Sequence, residues 1–258
     1  MRKCPLCAFD VAVTYMKPSA WNNRHGIELK KCKECEFIFS AASLCDYVSV
    51  ENKHEQRSRA DLMKFAQQQK LPALVNEIVK KSQLKDGKVL DFGAGVGLAS
   101  LCLQEKGFTT YAIEASQSFL EAHKKLEIAS AQSLDSLQVQ KNSFDLIIFK
   151  DVLEHVDNPI DLLQELLSYL KPSGYLYIRV PNVYHYRFHW SIDTKSHINH
   201  FSPKKLMNLL HENKMKKIDF IGVYDVSTTV GKVYNFIFWK ARHLIPLYHQ
   251  ISLLYQKK

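Results

Sequence analysis

The chain has little of what breaks a backbone: 9 glycines and 8 prolines in 258 residues. With no fixed-period repetition either, collagen-like, low-complexity and repeat-array architectures are excluded. A long apolar run is also lacking. The opening MRKCPLC has none of the apolar stretch of a secretory leader, and the most apolar late segment is interrupted by Lys240, Arg242 and His243. That is short of the roughly 20 residues needed to cross a bilayer, so the sequence predicts no transmembrane segment and a cytoplasmic location. Acidic residues are scarce near the C-terminus, where Lys195 to Lys258 holds eleven Lys/Arg against Glu212, Asp219 and Asp225. The net charge of +9 is therefore largely local, not a footprint spread over the whole chain. What is abundant is core-forming material: 46% hydrophobic residues with 14 Phe and 12 Tyr. This is enough for one large domain, or one plus a small module.

Cysteine is nearly absent beyond residue 45, where only Cys102 is found, most simply a small buried side chain. Four of the other five form two C-x2-C pairs, Cys4 with Cys7 and Cys32 with Cys35. Each pair can turn two thiolates toward one tetrahedral ion, so the two together complete a closed S4 shell of the zinc-ribbon kind. Disulfides and unliganded thiols are the rival readings; a reducing cytosol disfavours the first. Cys45 and His25 are spare candidate ligands. This defines a zinc-binding module over 1–48.

Residues 49–85 follow as a helical linker, with apolar positions Leu62, Phe65, Leu71, Leu74, Val75, Ile78 and Val79 at helical spacing and Pro72 dividing two helices. After Asp86-Gly87 the pattern alternates. Strands are predicted at Lys88–Phe92, Thr110–Glu114, Phe144–Phe149 and Tyr175–Val180, and helices at Leu98–Lys106, Ser116–Lys125 and Ile160–Leu170. Apolar strands alternating with helices give an α/β, doubly wound, mostly parallel sheet covered on both faces. A further helix from Pro203 and an antiparallel pair, Lys217–Tyr224 with Val233–Trp239, close a domain over 86–240. Leu244, Leu247, Tyr248, Ile251, Leu254 and Tyr255 then form the apolar stripe of a basic amphipathic helix over 241–258. Such a helix can dock on its own domain, touch a membrane surface or dimerise.

Open α/β sheets bind ligands beyond the carboxyl ends of their strands. The first strand ends in Asp91-Phe92-Gly93-Ala94-Gly95-Val96-Gly97, a glycine-rich turn into a helix that lets backbone approach a ligand. A nicotinamide fingerprint would need glycine where Leu98 stands. The second strand ends at Glu114, placed to accept both hydroxyls of a ribose, so an adenosine-type ligand is expected.

VLDFGAGVG, YAIEAS, FDLIIFKDVLEHVDNP and LKPSGYLYIRVPN, in that order over about Leu71 to Trp239, resemble the class I S-adenosylmethionine-dependent methyltransferases. The resemblance implies a seven-stranded Rossmann-like sheet with one reversed strand. It further implies that Asp91, Gly93, Gly95 and Gly97 surround the methionine part of S-adenosylmethionine, that Glu114 holds its ribose, and that Lys150 lies beside it. The adenine contact falls in Ser130-Ala131-Gln132-Ser133, with Gln132 as the candidate, where the family often carries an acid. His155, next to the fourth strand, is the candidate base for the acceptor proton, against a purely structural reading of a Glu-His pair. The VPN and H-x-x-H-F-S stretches, similar to those of small-molecule methyltransferases, add Tyr184, His197 and Asn199 as acceptor contacts and His200 as a second catalytic candidate converging on His155. Asp193 with His197 and His200 is a weaker metal reading.

The cysteine module resembles those preceding methyltransferases of sugar, polysaccharide and secondary-metabolite pathways, which implies a small-molecule, sugar or lipid-linked acceptor. An RNA-modifying enzyme is the runner-up, although Met1 to Val48 carries seven basic and five acidic residues, no phosphate-binding excess. A non-catalytic zinc-dependent binding protein is the third reading.

Overall fold

The computed structural model describes residues 3–16, 28–41, 58–183, 197–220 and 250–258. The N-terminal part contributes strands β1 (Ala12–Met16), β2 (Leu29–Cys32) and β3 (Ile38–Ser40). Helices α1 (Arg59–Gln68) and α2 (Leu71–Ser82) follow. The alternating region then gives β4 (Lys88–Phe92), α3 (Leu98–Gln104), β5 (Thr109–Ile113), α4 (Gln117–Lys125), β6 (Ala129–Ala131) and β7 (Phe144–Lys150). It continues through α5 (Pro159–Tyr169), β8 (Leu170–Pro181), β9 (Asn199–His200), α6 (Pro203–Glu212), β10 (Met215–Phe220) and β11 (Gln250–Lys257).

Seven strands form one sheet in the order β10-β11-β8-β7-β4-β5-β6. Strands β6, β5, β4, β7 and β8 are parallel, and β11 runs antiparallel to both β8 and β10. Consecutive residues of the central strands enter opposite cores, which is why these runs read as continuously apolar. Val89, Leu146 and Ile148 pack with Leu74, Val75 and Ile78 of α2, while Leu90, Ile147 and Phe149 pack with Leu163 and Leu166 of α5 and Leu206 of α6. Helix starts follow local chemistry. The Ser58 and Ser202 hydroxyls cap α1 and α6 by accepting from the Asp61 and Lys205 amides, and Pro72 and Pro203 sit in first turns, where no N–H is needed. The two expected helices of 49–85 thus form within its described part, but α2 is a layer of the main core and spans no gap between units.

One expectation is corrected. Gln250–Lys257 is a strand, not the end of an amphipathic helix, and residues 241–249 lie outside the described residues. Ile251, Leu253 and Tyr255 face one core and Leu254 the other, which a strand inserted between β8 and β10 satisfies and a one-faced surface helix does not. The strand paired with β10 is accordingly β11; the partner expected at Val233–Trp239 lies outside the described residues.

A second, four-stranded antiparallel sheet has the order β1-β2-β3-β9. Its last strand comes from the connection after β8, so the cysteine-bearing part and the main domain share one ladder. Phe37 and Phe39 are buried in the same cluster as Phe149, Ile178 and Phe201, so the apolar core is continuous across the two sheets.

Candidate active site

The crevice beside β4 is where strand order reverses, with β5 on one side and β7 on the other. Gly93 and Ala94 donate to the Ile113 carbonyl (2.8 and 3.1 Å), tying the loop after β4 to the end of β5. Gly95 is held from both sides by side chains: its N–H donates to Glu114 Oε2 at 2.7 Å, and its carbonyl lies 2.8 Å from His123 Nε2. Because a carbonyl only accepts, Nε2 carries the proton. Burial lowers the His123 pKa, keeping the ring neutral, and its buried Nδ1 makes no hydrogen bond. Gly95 has φ +55°, and a Cβ there would meet nothing within 4 Å, so this side of the loop is open to a ligand. At Gly97 (φ +85°) a Cβ would stand 2.6 Å from Ile128 Cδ1, so only glycine lets α3 start this close to the residues following α4.

Asp91 is buried and accepts from Ser100 Oγ and N (2.9 and 3.2 Å), bracing the first turn of α3; burial raises its pKa. Glu114 Oε1 accepts from the Ser116 amide at 3.0 Å. Gln132 is exposed just after β6, its Nε2 3.4 Å from the Ala115 carbonyl, and Lys150 ends β7 with Nζ 3.1 Å from Asp151 Oδ2. The expected cofactor residues Asp91, Gly93, Gly95, Gly97, Glu114, Gln132 and Lys150 therefore all lie at or just beyond the carboxyl ends of β4 to β7.

The other side of the crevice begins at Asp151. Arg179 on β8 grips its carboxylate with two hydrogen bonds, Nε to Oδ1 at 2.9 Å and Nη2 to Oδ2. Burial pushes the Asp151 pKa up, but Arg179 and Lys150 outweigh it and hold it below the usual range. A single 3-10 turn, Leu153–His155, follows. Glu154 is 1% exposed; burial, helped by the Asp151 charge, pushes its carboxyl pKa up to about 8. Its Oε1 lies 4.0 Å from His155 Nε2, and its buried Oε2 makes no hydrogen bond. The His155 ring meets His197 edge-on, centroids 4.7 Å apart. Glu154, His155 and His197 bring one donor or acceptor atom each within 4.8 Å of one another. Such a group can pass a proton between a neutral acid and two imidazoles.

The ring that joins His155 is thus His197. His200 lies in β9 and is buried. Asn199 is also buried, and its Nδ2 donates to the carbonyls of Leu153 (3.2 Å) and Val156 (2.5 Å), so its amide holds the turn that carries His155. Tyr184 and Asp193 lie outside the described residues, as do His25 and Cys45.

Away from the crevice, the two cysteine knuckles repeat one pattern. The Cys4 amide donates to the Phe9 carbonyl and its carbonyl accepts from Ala8; Cys32 does the same with Phe37 and Glu36. The left-handed residues Ala8 (φ 57°) and Glu36 (φ 61°) close the two turns. The Sγ atoms of Cys4, Cys7, Cys32 and Cys35 all fall within 4.8 Å of one another; Cys4 to Cys35 is 3.5 Å and Cys7 to Cys32 3.6 Å. None is in a disulfide. Zinc–thiolate bonds of about 2.3 Å at tetrahedral angles separate sulfurs by roughly 3.8 Å, so the cluster fits a zinc ion. Burial pushes the Cys4 thiol up and the Cys35 thiol up to about 11.

Fold and crevice together define a Rossmann-like α/β domain with a glycine-rich loop and an acid following its second parallel strand. The methyltransferase-domain family matches residues 63–217, more than half of the chain, and the protein belongs to that family. Among similar sequences is the ubiquinone biosynthesis O-methyltransferase of Xanthomonas campestris pv. campestris (strain B100), 28% identical over 119 residues, covering 43% of this chain and 50% of that protein. The chain thus spans about half the length of the curated relatives it matches. Among solved structures, an S-adenosylmethionine-dependent methyltransferase from Archaeoglobus fulgidus shares the fold with TM-score 0.53 at 18% identity, covering 82% of this chain and all of that one. Another from Clostridium acetobutylicum ATCC 824 gives 0.54 at 15%, covering 73% and 91%. Among the described residues no helix is long and apolar enough to cross a membrane.

Sequence reasoning missed Glu154, Asp151, Arg179 and His123. Glu154 stood beside His155 in plain view, and the Glu-His pair itself was the available signal. His123 gave none, because nothing local says that one helical residue reaches across to the Gly95 carbonyl.

Proposed function

We propose that the enzyme transfers the methyl group of S-adenosylmethionine to an oxygen, nitrogen or carbon of a small-molecule, sugar or lipid-linked acceptor, oxygen being favoured. The observation that carries this reading is the two-sided crevice: Gly95 clamped between Glu114 and His123 on one side, and Glu154, His155 and His197 gathered on the other. That the similar sequences include ubiquinone biosynthesis O-methyltransferases supports an oxygen acceptor. When bound, the cofactor supplies an electrophilic methyl on a sulfonium. The open face at Gly95 admits it, and Glu114 holds its ribose. Holding acceptor and methyl in line contributes most of the acceleration, since well-oriented partners gain about 7 to 11 kcal/mol over free encounter. His155, with His197 against it, receives the acceptor proton, and the buried, protonated Glu154 adds no competing negative charge at neutral pH.

The four thiols hold one structural zinc, leaving no coordination position open for catalysis. Purified protein carries close to one zinc equivalent, lost in Cys32→Ser; metal-free folded protein removes the zinc from this reading. For the reaction, label from methyl-labelled S-adenosylmethionine is followed into fractionated cell extract. Label in a small-molecule, sugar or lipid fraction supports the proposal, and label confined to RNA replaces it with the RNA-modifying alternative.

A further inference from the structure

Strand β9 is held on both sides. On one it pairs with β3, with Ile38 opposite His200 and Phe39 opposite Asn199, and the Ser40 amide donates to the Ile198 carbonyl at 2.8 Å. The Phe37 and Phe201 rings pack beside this ladder, centroids 5.0 Å apart. On the other side, the Ile198 amide donates to the Glu154 carbonyl at 2.8 Å, and Asn199 Nδ2 reaches the carbonyls of Leu153 and Val156. The turn that presents Glu154 and His155 therefore takes its position from β9, and β9 takes its own from β3. Strand β3 in turn begins directly after the second knuckle, whose Cys32 amide is closed on the Phe37 carbonyl. None of these hydrogen bonds runs to the glycine loop, which is tied to Ile113, Glu114 and His123; the turn meets that loop only by packing, where Val152 lies against Gly93.

We propose that the four-thiol module is a positioning element for the acceptor half of the crevice: through the β3–β9 pairing it sets where His155 and His197 stand, while the glycine loop of the cofactor half takes its hydrogen bonds from β5 and α4. This rests on the methyltransferase reading, and on the zinc only for what stiffens the module. Cys4 and Cys32 belong to the same buried cluster as Phe37, Phe39 and Phe201, so order at the thiols and order at β9 are parts of one packing arrangement. A module that merely recruited a partner would need neither a shared strand nor a shared core. The chain order agrees, because β9 pairs with β3 just before α6 starts, and His197, two residues before Asn199, meets His155 there.

The test uses the full chain. Ser40→Pro deletes the one N–H that crosses to Ile198; Ser40→Ala keeps it, and Phe37→Leu trims the ring on Phe201 while remaining apolar. Amide hydrogen exchange by mass spectrometry reads peptides over 150–158, 197–202 and 88–116. Histidine ring signals in NMR report the His155–His197 contact, and calorimetry gives the Kd for S-adenosylmethionine. Ser40→Pro is expected to raise exchange at least tenfold in 150–158 and 197–202 and to abolish the histidine contact. Exchange over 88–116 and the cofactor Kd stay within twofold of wild type. Phe37→Leu should do the same more weakly, and Ser40→Ala, which keeps the N–H, far less than Ser40→Pro. Unchanged protection at 150–158 once 197–202 has opened would overturn the proposal, as would a parallel tenfold loss of cofactor affinity. Should the protein bind no zinc yet show the expected pattern, the strand coupling stands and the zinc reading falls. Should wild type bind no S-adenosylmethionine, the functional reading fails, and the exchange and histidine signals still decide the coupling.

Discussion

Glu154→Gln is the sharpest perturbation of the acceptor side, because it keeps the shape of a buried side chain while removing its ability to ionise. Burial, then the Asp151 charge, raise the folded-state pKa from 4.5 to about 8. A carboxyl raised in this way contributes stability that is fully present below its unfolded pKa and is lost as pH rises through the folded one. For such a shift the loss approaches about 5 kcal/mol in full, of which about 3 to 4 kcal/mol develops between pH 5 and pH 8. The glutamine side chain is neutral throughout, so the variant should gain on wild type steadily across that window and level off above it. The assay is urea unfolding of both proteins at half-unit pH steps, followed by tryptophan fluorescence and far-ultraviolet dichroism, with the difference plotted against pH. Other titrating groups are common to both proteins and largely cancel in that difference. A flat difference from pH 5 to 8 would show that Glu154 is not held protonated, and the proton-sharing role of the cluster would go with it.

Glu114→Ala is expected to weaken S-adenosylmethionine binding by at least tenfold in calorimetry, since charge-assisted hydrogen bonds are worth about 1.5 to 3 kcal/mol each; an unchanged Kd removes Glu114 from the cofactor site. His123→Phe fills the same space without a donor and should weaken the cofactor roughly tenfold, whereas His123→Gln, which can still donate to the Gly95 carbonyl, should recover most of it; equal affinities for the two would make the contact mere packing. Against an acceptor identified by labelling, His155→Ala should lose about 10² to 10⁴ in kcat with cofactor Kd unchanged. Full turnover by that variant returns His155 to a structural role.

Strands β4, β5, β7 and β8 were readable because each carries a short apolar run bounded by turn residues, whereas β6, only Ala129-Ser130-Ala131, carries no such run. The C-terminus defeated the same reasoning for a physical reason. Ile251, Leu254 and Tyr255 fall at i, i+3 and i+4, the spacing of a helix face, but β11 is buried on both sides, so its strand alternation is hidden by apolar residues at both parities. Its partner was misjudged through a preference for short connections: Val233–Trp239 lies just beyond the preceding strand, whereas β10 pairs with residues some thirty positions further on.

The positions of the candidate cofactor residues were legible because strand ends, a glycine loop and one acid are fixed by chain order. The acceptor side depends on which residues of an extended segment face the same way, and there the H-x-x-H spacing of His197 and His200 decides the matter. Alternate residues of an extended chain share a face. Asn199 aims its amide at the turn Leu153–Val156, so His197, two residues earlier, is carried to the same side and meets His155, while His200 is turned to the opposite side. A spacing of three puts two side chains together on a helix and apart on a strand. Once Asn199 and His200 pair with β3, His155 and His200 are directed to different sides of β9, and His197 takes the place beside His155.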